Sequence, residues 1–140
     1  MIKNLLYVTK VLDKVKFGIS GDLINRFINY NKGNQNYEVH ALYVAVEGHA
    51  EHILTCENYL MRTLHEYLEN PKQLAKPTEY VDPKFTDIDV DYVSTLIENK
   101  IKNHPLQIKR LKGEYVSALK IDPDMMDKIK LSPHKYLEDI

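Results

Sequence analysis

Apolar positions along the chain fall into two rhythms. Leu5 to Val11 is rich in β-formers and predicts a strand. Leu12-Asp13-Lys14 makes a short turn, and Val15 to Ser20 is a second apolar run, so the two predict a hairpin. Ser20-Gly21-Asp22 breaks the strand and offers an N-cap. Leu23, Phe27 and Tyr30 then recur at helical spacing, with Ile24 and Ile28 beside them, and Gly33 lies where a glycine would stop that helix. Tyr37 to Val46 predicts a third strand, ended by Gly48. His49 to Asn70 carries the clearest helical pattern. Ile53, Leu54, Leu60, Met61, Leu64 and Leu68 share one broad face, and Pro71 ends the run.

Beyond this the pattern thins. Glu79 to Asp91 holds five acidic residues, one lysine and Pro83, and reads as a surface linker. It divides the chain into a core over residues 1–82 and a C-terminal extension over 83–140. The extension opens with a helix carrying Val93, Leu96, Ile97 and Ile101, ended by Pro105. Tyr115 to Ile121 predicts a strand, and Pro123 to Ile140 one or two short helical turns. The expected fold is α/β: a small central antiparallel sheet flanked by helices in the order β-β-α-β-α, with a mixed C-terminal extension.

Composition narrows the classes of function. Nineteen basic residues against twenty acidic ones give a net charge of −1 in 140 residues, so the chain is no histone-like polycation. A nucleic-acid site must then come from local patterning, and Lys100, Lys102, Lys109, Arg110 and Lys112 supply it. No acid stands between Glu98 and Glu114, and these five residues are the expected phosphate contacts. The single cysteine, Cys56, excludes an intrachain disulfide and any zinc site built on several cysteines, and a buried, inert thiol is expected there. No apolar run approaches a membrane span, and the first residues lack a signal peptide's apolar stretch. An intracellular, cytoplasmic protein is the expectation.

Five polar positions in the core can be placed around one sheet. Tyr7 lies in the first strand and Lys16 in the second. Arg26 and Tyr30 share a face of the first helix, and Glu57 shares a stripe of the second with Met61 and His65. Each alone is more often packing or solvated surface. Together, a hydroxyl, a cation and a carboxylate are what metal-assisted phosphodiester hydrolysis requires.

Their order and spacing give the chain a likeness. Leu5-Leu6-Tyr7 and Lys16-Phe17-Gly18, then Arg26 eight residues after Gly18, Tyr30 one turn on, and Glu57-Asn58-Tyr59-Leu60-Met61 follow in sequence. Residues 5 to 80 thereby resemble the GIY-YIG nuclease domain. Leu64-His65 and Thr78-Glu79-Tyr80 look like landmarks of a viral and bacteriophage subgroup. The resemblance implies an endonuclease acting on DNA with magnesium or manganese. Glu57 would hold the metal, Arg26 would stabilise charge, and Tyr7, Lys16 or Tyr30 would position or activate the water. It also departs from the family pattern. Leu5 replaces the first glycine and Lys16 the second tyrosine. The subgroup's acid usually lies four residues before the Leu-His histidine, which is Met61 here. With Glu57 as ligand the domain cuts. With the acid lost, it is a module that binds nucleic acid or a host protein without cleavage.

Overall fold

The computed structural model describes residues 5–20, 37–70, 77–116, 118, 122 and 124–140. The helix expected around Leu23 to Tyr30, with Arg26, lies outside them. Among the described residues the chain is α/β, with a five-stranded antiparallel sheet and helices.

The hairpin forms as the sequence pattern predicts. β1 (Leu5–Val11) pairs with β2 (Lys14–Ser20), Val11 opposite Lys14, across Leu12 and Asp13. Leu12 takes a left-handed φ of 57° there. β3 (Tyr37–Ala45) pairs with the other side of β1. Alternation along β1 then sorts the side chains by face, because successive strand residues point to opposite sides. Leu6 and Val8 go to one apolar cluster, Leu5, Tyr7 and Val11 to another. The sheet is buried on both sides.

α1 (Glu51–Thr63) covers the first face with Ile53, Cys56 and Leu60. It is shorter than the run from His49 to Asn70 predicts. Leu64 leaves the helical region, His65–Tyr67 form a single 3₁₀ turn, and Leu68 is extended. The cause is a competing partner. The Glu69 amide donates to the Tyr80 carbonyl at 2.9 Å and the Asp82 amide to the Tyr67 carbonyl at 2.8 Å, so this segment leaves the helix to pair with 78–82. The apolar face also differs: Leu54 is exposed, and Cys56 takes its place in the core.

Residues after 83 do not stand apart from those before. Phe85 and Ile88 pack into the first cluster, so the acidic stretch is anchored rather than a free linker. α2 (Val90–Asn103), capped by the Asp89 carboxylate accepting from the Tyr92 amide at 2.8 Å, buries Val93, Ile97 and Ile101 in that cluster. β4 (Ile108–Leu111), which the sequence pattern does not predict, pairs with β3, and the two-residue β5 (Leu137–Glu138) pairs with β4. The strand order is β2-β1-β3-β4-β5. Gly113–Val116 form a short helix, α3, where the sequence predicts the start of a strand. α3, α4 (Met125–Leu131) and α5 (Pro133–Tyr136) contribute Val116, Met125, Ile129 and Tyr136 to the second cluster. The expected boundary between 82 and 83 thus cuts through one sheet and one core. No helix among the described residues is long and apolar enough to cross a membrane.

Candidate functional site

A cleft of about 790 Å³ opens where α1 meets the edge of β2. Its wall on one side is Glu57, Asn58, Met61, Arg62 and His65, from α1 and the turn after it. On the other side are Lys16 and the segment Pro77 to Tyr80. That segment is held against β2 as a partial sixth strand. The Phe17 amide donates to the Glu79 carbonyl at 3.2 Å, the Val81 amide donates to the Val15 carbonyl at 2.9 Å, and Lys16 lies opposite Tyr80. The Thr78 hydroxyl donates to the Glu69 carbonyl at 2.9 Å, which ties the far end of the segment to the chain leaving α1.

Lys16 is only 8% exposed, and its stem runs over aromatic faces. The ammonium lies 5.1 Å from the Tyr80 ring centroid and 5.8 Å from that of Tyr7, close enough for cation–π attraction. Tyr7 is fully buried beneath it and opposite Gly18 in the hairpin. A methyl group at Gly18 would sit 2.7 Å from the Tyr7 hydroxyl oxygen and 2.8 Å from Glu79 Oε2. Only a residue without a side chain leaves both oxygens their places.

Of the residues nominated by sequence, Lys16, Glu57, Met61 and His65 line one cleft, with Tyr7 below Lys16. His65 reaches it from the 3₁₀ turn rather than from α1. Arg26 and Tyr30 lie outside the described residues. Glu79 also lines the cleft, and sequence reasoning placed it only in the Thr78-Glu79-Tyr80 landmark, with no role in the site. Its place in an acidic stretch suggested a linker, whereas the β-forming Tyr80-Val81 after it was the available sign of strand pairing.

The five basic residues of the extension do not make one surface. Lys109 and Arg110 are neighbours in β4 and point to opposite faces. Arg110 turns inward and donates to Glu98 Oε2 at 3.2 Å, the oxygen that also accepts from the Tyr43 hydroxyl. Burial raises that hydroxyl above its ordinary range. Lys109 pairs with Asp139 at 3.0 Å and shares a second depression, of about 380 Å³, with Lys102. Lys100 lies with its ammonium 5.0 Å from the Tyr59 ring centroid. The Lys112 amide donates to the Tyr136 carbonyl at 2.8 Å.

Cys56 is fully buried, and burial pushes its thiol up to about 11. A thiol held protonated is a poor nucleophile, in keeping with a packing role. His49, Glu51 and His52 cluster at the start of α1 with ligand atoms within 4.8 Å of one another. However, His52 Nδ1 accepts the Gln107 amide at 2.9 Å. The ring proton then belongs on Nε2, and neither nitrogen offers a metal an unused lone pair.

No protein family, curated protein or solved structure matches the chain. The site's own chemistry therefore carries the functional reading.

Proposed function

We propose that the chain is a divalent-metal-dependent endonuclease of the GIY-YIG kind, hydrolysing phosphodiester bonds in DNA. The observation that carries this reading is the convergence at one cleft. Lys16 comes from a strand and Glu57 from a helix forty-one residues later in the chain. They line the same cavity, which His65 also lines, and Tyr7 lies beneath Lys16. The hairpin, with β3 added beside β1 and α1 packed on one face, supports the same family.

Magnesium or manganese suits the donors of this cleft. Glu57 and Glu79 offer carboxylate oxygens and Asn58 an amide oxygen, the hard ligands such ions prefer. Glu57 would hold the ion, which when bound supplies charge to the scissile phosphate and the leaving oxygen. The protein does the rest. Lys16, confined by two aromatic rings, presents a fixed positive charge to a phosphate oxygen. The Tyr7 hydroxyl, which cannot swing in its packed surroundings, is the group that orients or deprotonates the attacking water. Arg26 stabilises the charge that develops on the phosphate.

The test is cleavage of plasmid and single-stranded DNA with magnesium or manganese, stopped by a chelator. Arg26→Ala should slow cutting by on the order of 10²-fold, the scale of losing one transition-state donor. Glu57→Gln should remove the metal dependence with the fold intact; a Glu57→Gln protein that cuts as fast as wild type refutes the assignment.

A second reading rests on Met61, which lines the cleft at the position where the subgroup's acid usually stands. In that reading the domain binds nucleic acid or a host protein without cutting. DNA affinity with no cleavage under any metal would favour it.

A further inference from the structure

Deepening the nuclease reading and resting on it, we propose that Arg62 and Lys100 form a cationic path over α1 that grips the phosphates of one DNA strand where it leaves the cleft. Arg62 is exposed, lines the cleft and lies in the last turn of α1. At 3.6 residues per turn, Glu57, Asn58, Arg62 and Tyr59 follow one another around the outside of the helix at about 0°, 100°, 140° and 200°. Ile53, Cys56 and Leu60 fill the remaining arc and turn to the core. A helical side chain leans over the turn before its own, so Arg62 leans toward Asn58 and Tyr59. Arg62 therefore stands between the cleft and the flank of α1 that carries Tyr59.

Lys100 takes up the path on that flank. It comes from α2, its ammonium lies 5.0 Å from the Tyr59 ring centroid, and its charge is also felt at Cys56, three residues before Tyr59. One ring thus separates the two cations along the surface. Lys109 and Arg110 are held by Asp139 and Glu98, whereas among the described residues Arg62 and Lys100 have no carboxylate partner. The occupant follows from charge and continuity. A cleft of about 790 Å³ has the size of a small-ligand site, so it takes one strand rather than a duplex. A strand with its scissile phosphate beside Glu57 must pass out over one wall. The opposite wall carries Glu79 and runs on to Asp82, and Lys14, near Tyr80, is paired with Glu69 at 2.8 Å. The wall of α1 leads instead from Arg62 to Lys100. Sequence reasoning misses the pair because the two residues lie thirty-eight positions apart on different helices.

The experiment measures binding of an oligothymidylate of about ten nucleotides, the span of a single-strand site, to the full chain at several salt concentrations with a chelator present. Each phosphate contact on a single strand contributes about 0.7 to the log–log salt slope, which at about 0.1 M salt is about fivefold in affinity. Arg62→Ala and Lys100→Ala should each weaken binding about fivefold and flatten the slope by about 0.7, and together by about 25-fold and about 1.4. Arg62→Lys keeps the charge and should restore the slope. Lys135→Ala removes the same charge from α5, which packs on the other face of the sheet, and should change neither quantity. Melting curves check that each variant is folded. Wild-type affinity and slope in folded Arg62→Ala overturn the proposal, Arg62 then serving only the negative end of the α1 dipole. Equal losses in Lys135→Ala overturn it too, since the attraction would be diffuse, as does a wild type that binds no oligonucleotide at any salt. If the slopes behave as expected and wild type cuts no DNA with magnesium or manganese, the path stands and the nuclease reading falls. If wild type cuts and Arg62→Ala and Lys100→Ala keep its slope, the path falls and the nuclease reading stands.

Discussion

Replacing Gly18 with alanine probes the cleft through stability alone. The added methyl would lie 2.7 Å from the Tyr7 hydroxyl oxygen, 3.0 Å from Tyr7 Cζ and 2.8 Å from Glu79 Oε2. Non-bonded carbon and oxygen do not approach so closely, so something must move. Glu79 ends a flexible side chain and can swing toward the cleft. Tyr7 cannot, because its ring is fully buried between β2 and β3 on a packed face. The cost therefore falls on the ring and on the β1–β2 pairing beneath it. Overpacking of this kind costs about 1–3 kcal/mol. Alanine restricts the unfolded chain and returns about 0.4–1 kcal/mol, since Gly18 has no left-handed φ for a side chain to strain. The net loss should be about 1–2 kcal/mol, or a fall in melting temperature of roughly 3–8 °C for a chain of this length. Thermal and urea unfolding of Gly18→Ala measure it. Adding Tyr7→Phe deletes the oxygen nearest the methyl, so the double variant should be more stable than the sum of the two single changes by about 1 kcal/mol. A Gly18→Ala protein as stable as wild type would refute the reasoning, since it would mean that the space above Gly18 is not shared as described.

Three further outcomes test other parts of the fold. Leu12 is 55% exposed and holds a φ of 57°, so Leu12→Asn should raise the melting temperature by roughly 2 °C, because asparagine tolerates that conformation; a lower midpoint would show that the turn depends on the leucine. The Cys56 thiol is raised in the folded state from 9.0 to about 11, so the folded chain holds its proton when the unfolded chain has released it. Stability should be intact below pH 9 and fall as pH rises from 9 to about 11, and Cys56→Val should flatten that limb in urea titrations; an identical pH profile for the variant would refute the assignment. In the extension, Arg110→Ala should destabilise by about 1–3 kcal/mol by leaving the half-buried Glu98 carboxylate without its cation, whereas exposed Lys102→Ala should leave stability within about 0.5 kcal/mol of wild type; equal effects would show that Arg110 is as solvated as Lys102.

Local signals in the sequence were enough for the first half of the described fold. The hairpin needed only two apolar runs and the short turn at Leu12-Asp13-Lys14, of which Lys14 joins β2, and β3 only a long apolar run bounded by Gly48. Failures began where partners distant in sequence decide conformation. Residues 64–70 have helical spacing, yet Leu68 and Glu69 are taken by Tyr80 and Val81, and pairing across that gap leaves no periodic trace. β4 is four residues long and has buried ends around Lys109 and Arg110, too short and too charged to read as a strand. The expected division at 82/83 shows the same effect, because one sheet and one apolar cluster hold residues from both sides of it. The acids of 79–91 looked solvated, and most are. Val81, Phe85 and Ile88 between them are anchors that fasten the second half to the first.

The same physics explains why half of the candidate site was legible and the basic run was not. Tyr7, Lys16 and Glu57 sit in elements whose period is constant, so position in sequence translates into a face. Lys100 to Lys112 crosses from α2 through a loop into β4, and the period changes from 3.6 to 2 within the run. Charges adjacent in sequence are thereby thrown to different sides. Arg110 goes inward to Glu98, Lys109 to Asp139, and Lys100 over Tyr59. Arg110 and Lys109 must each exchange a carboxylate for a phosphate to meet DNA, so each contributes less than an unpaired cation would. The salt dependence expected of five independent phosphate contacts is therefore an upper bound.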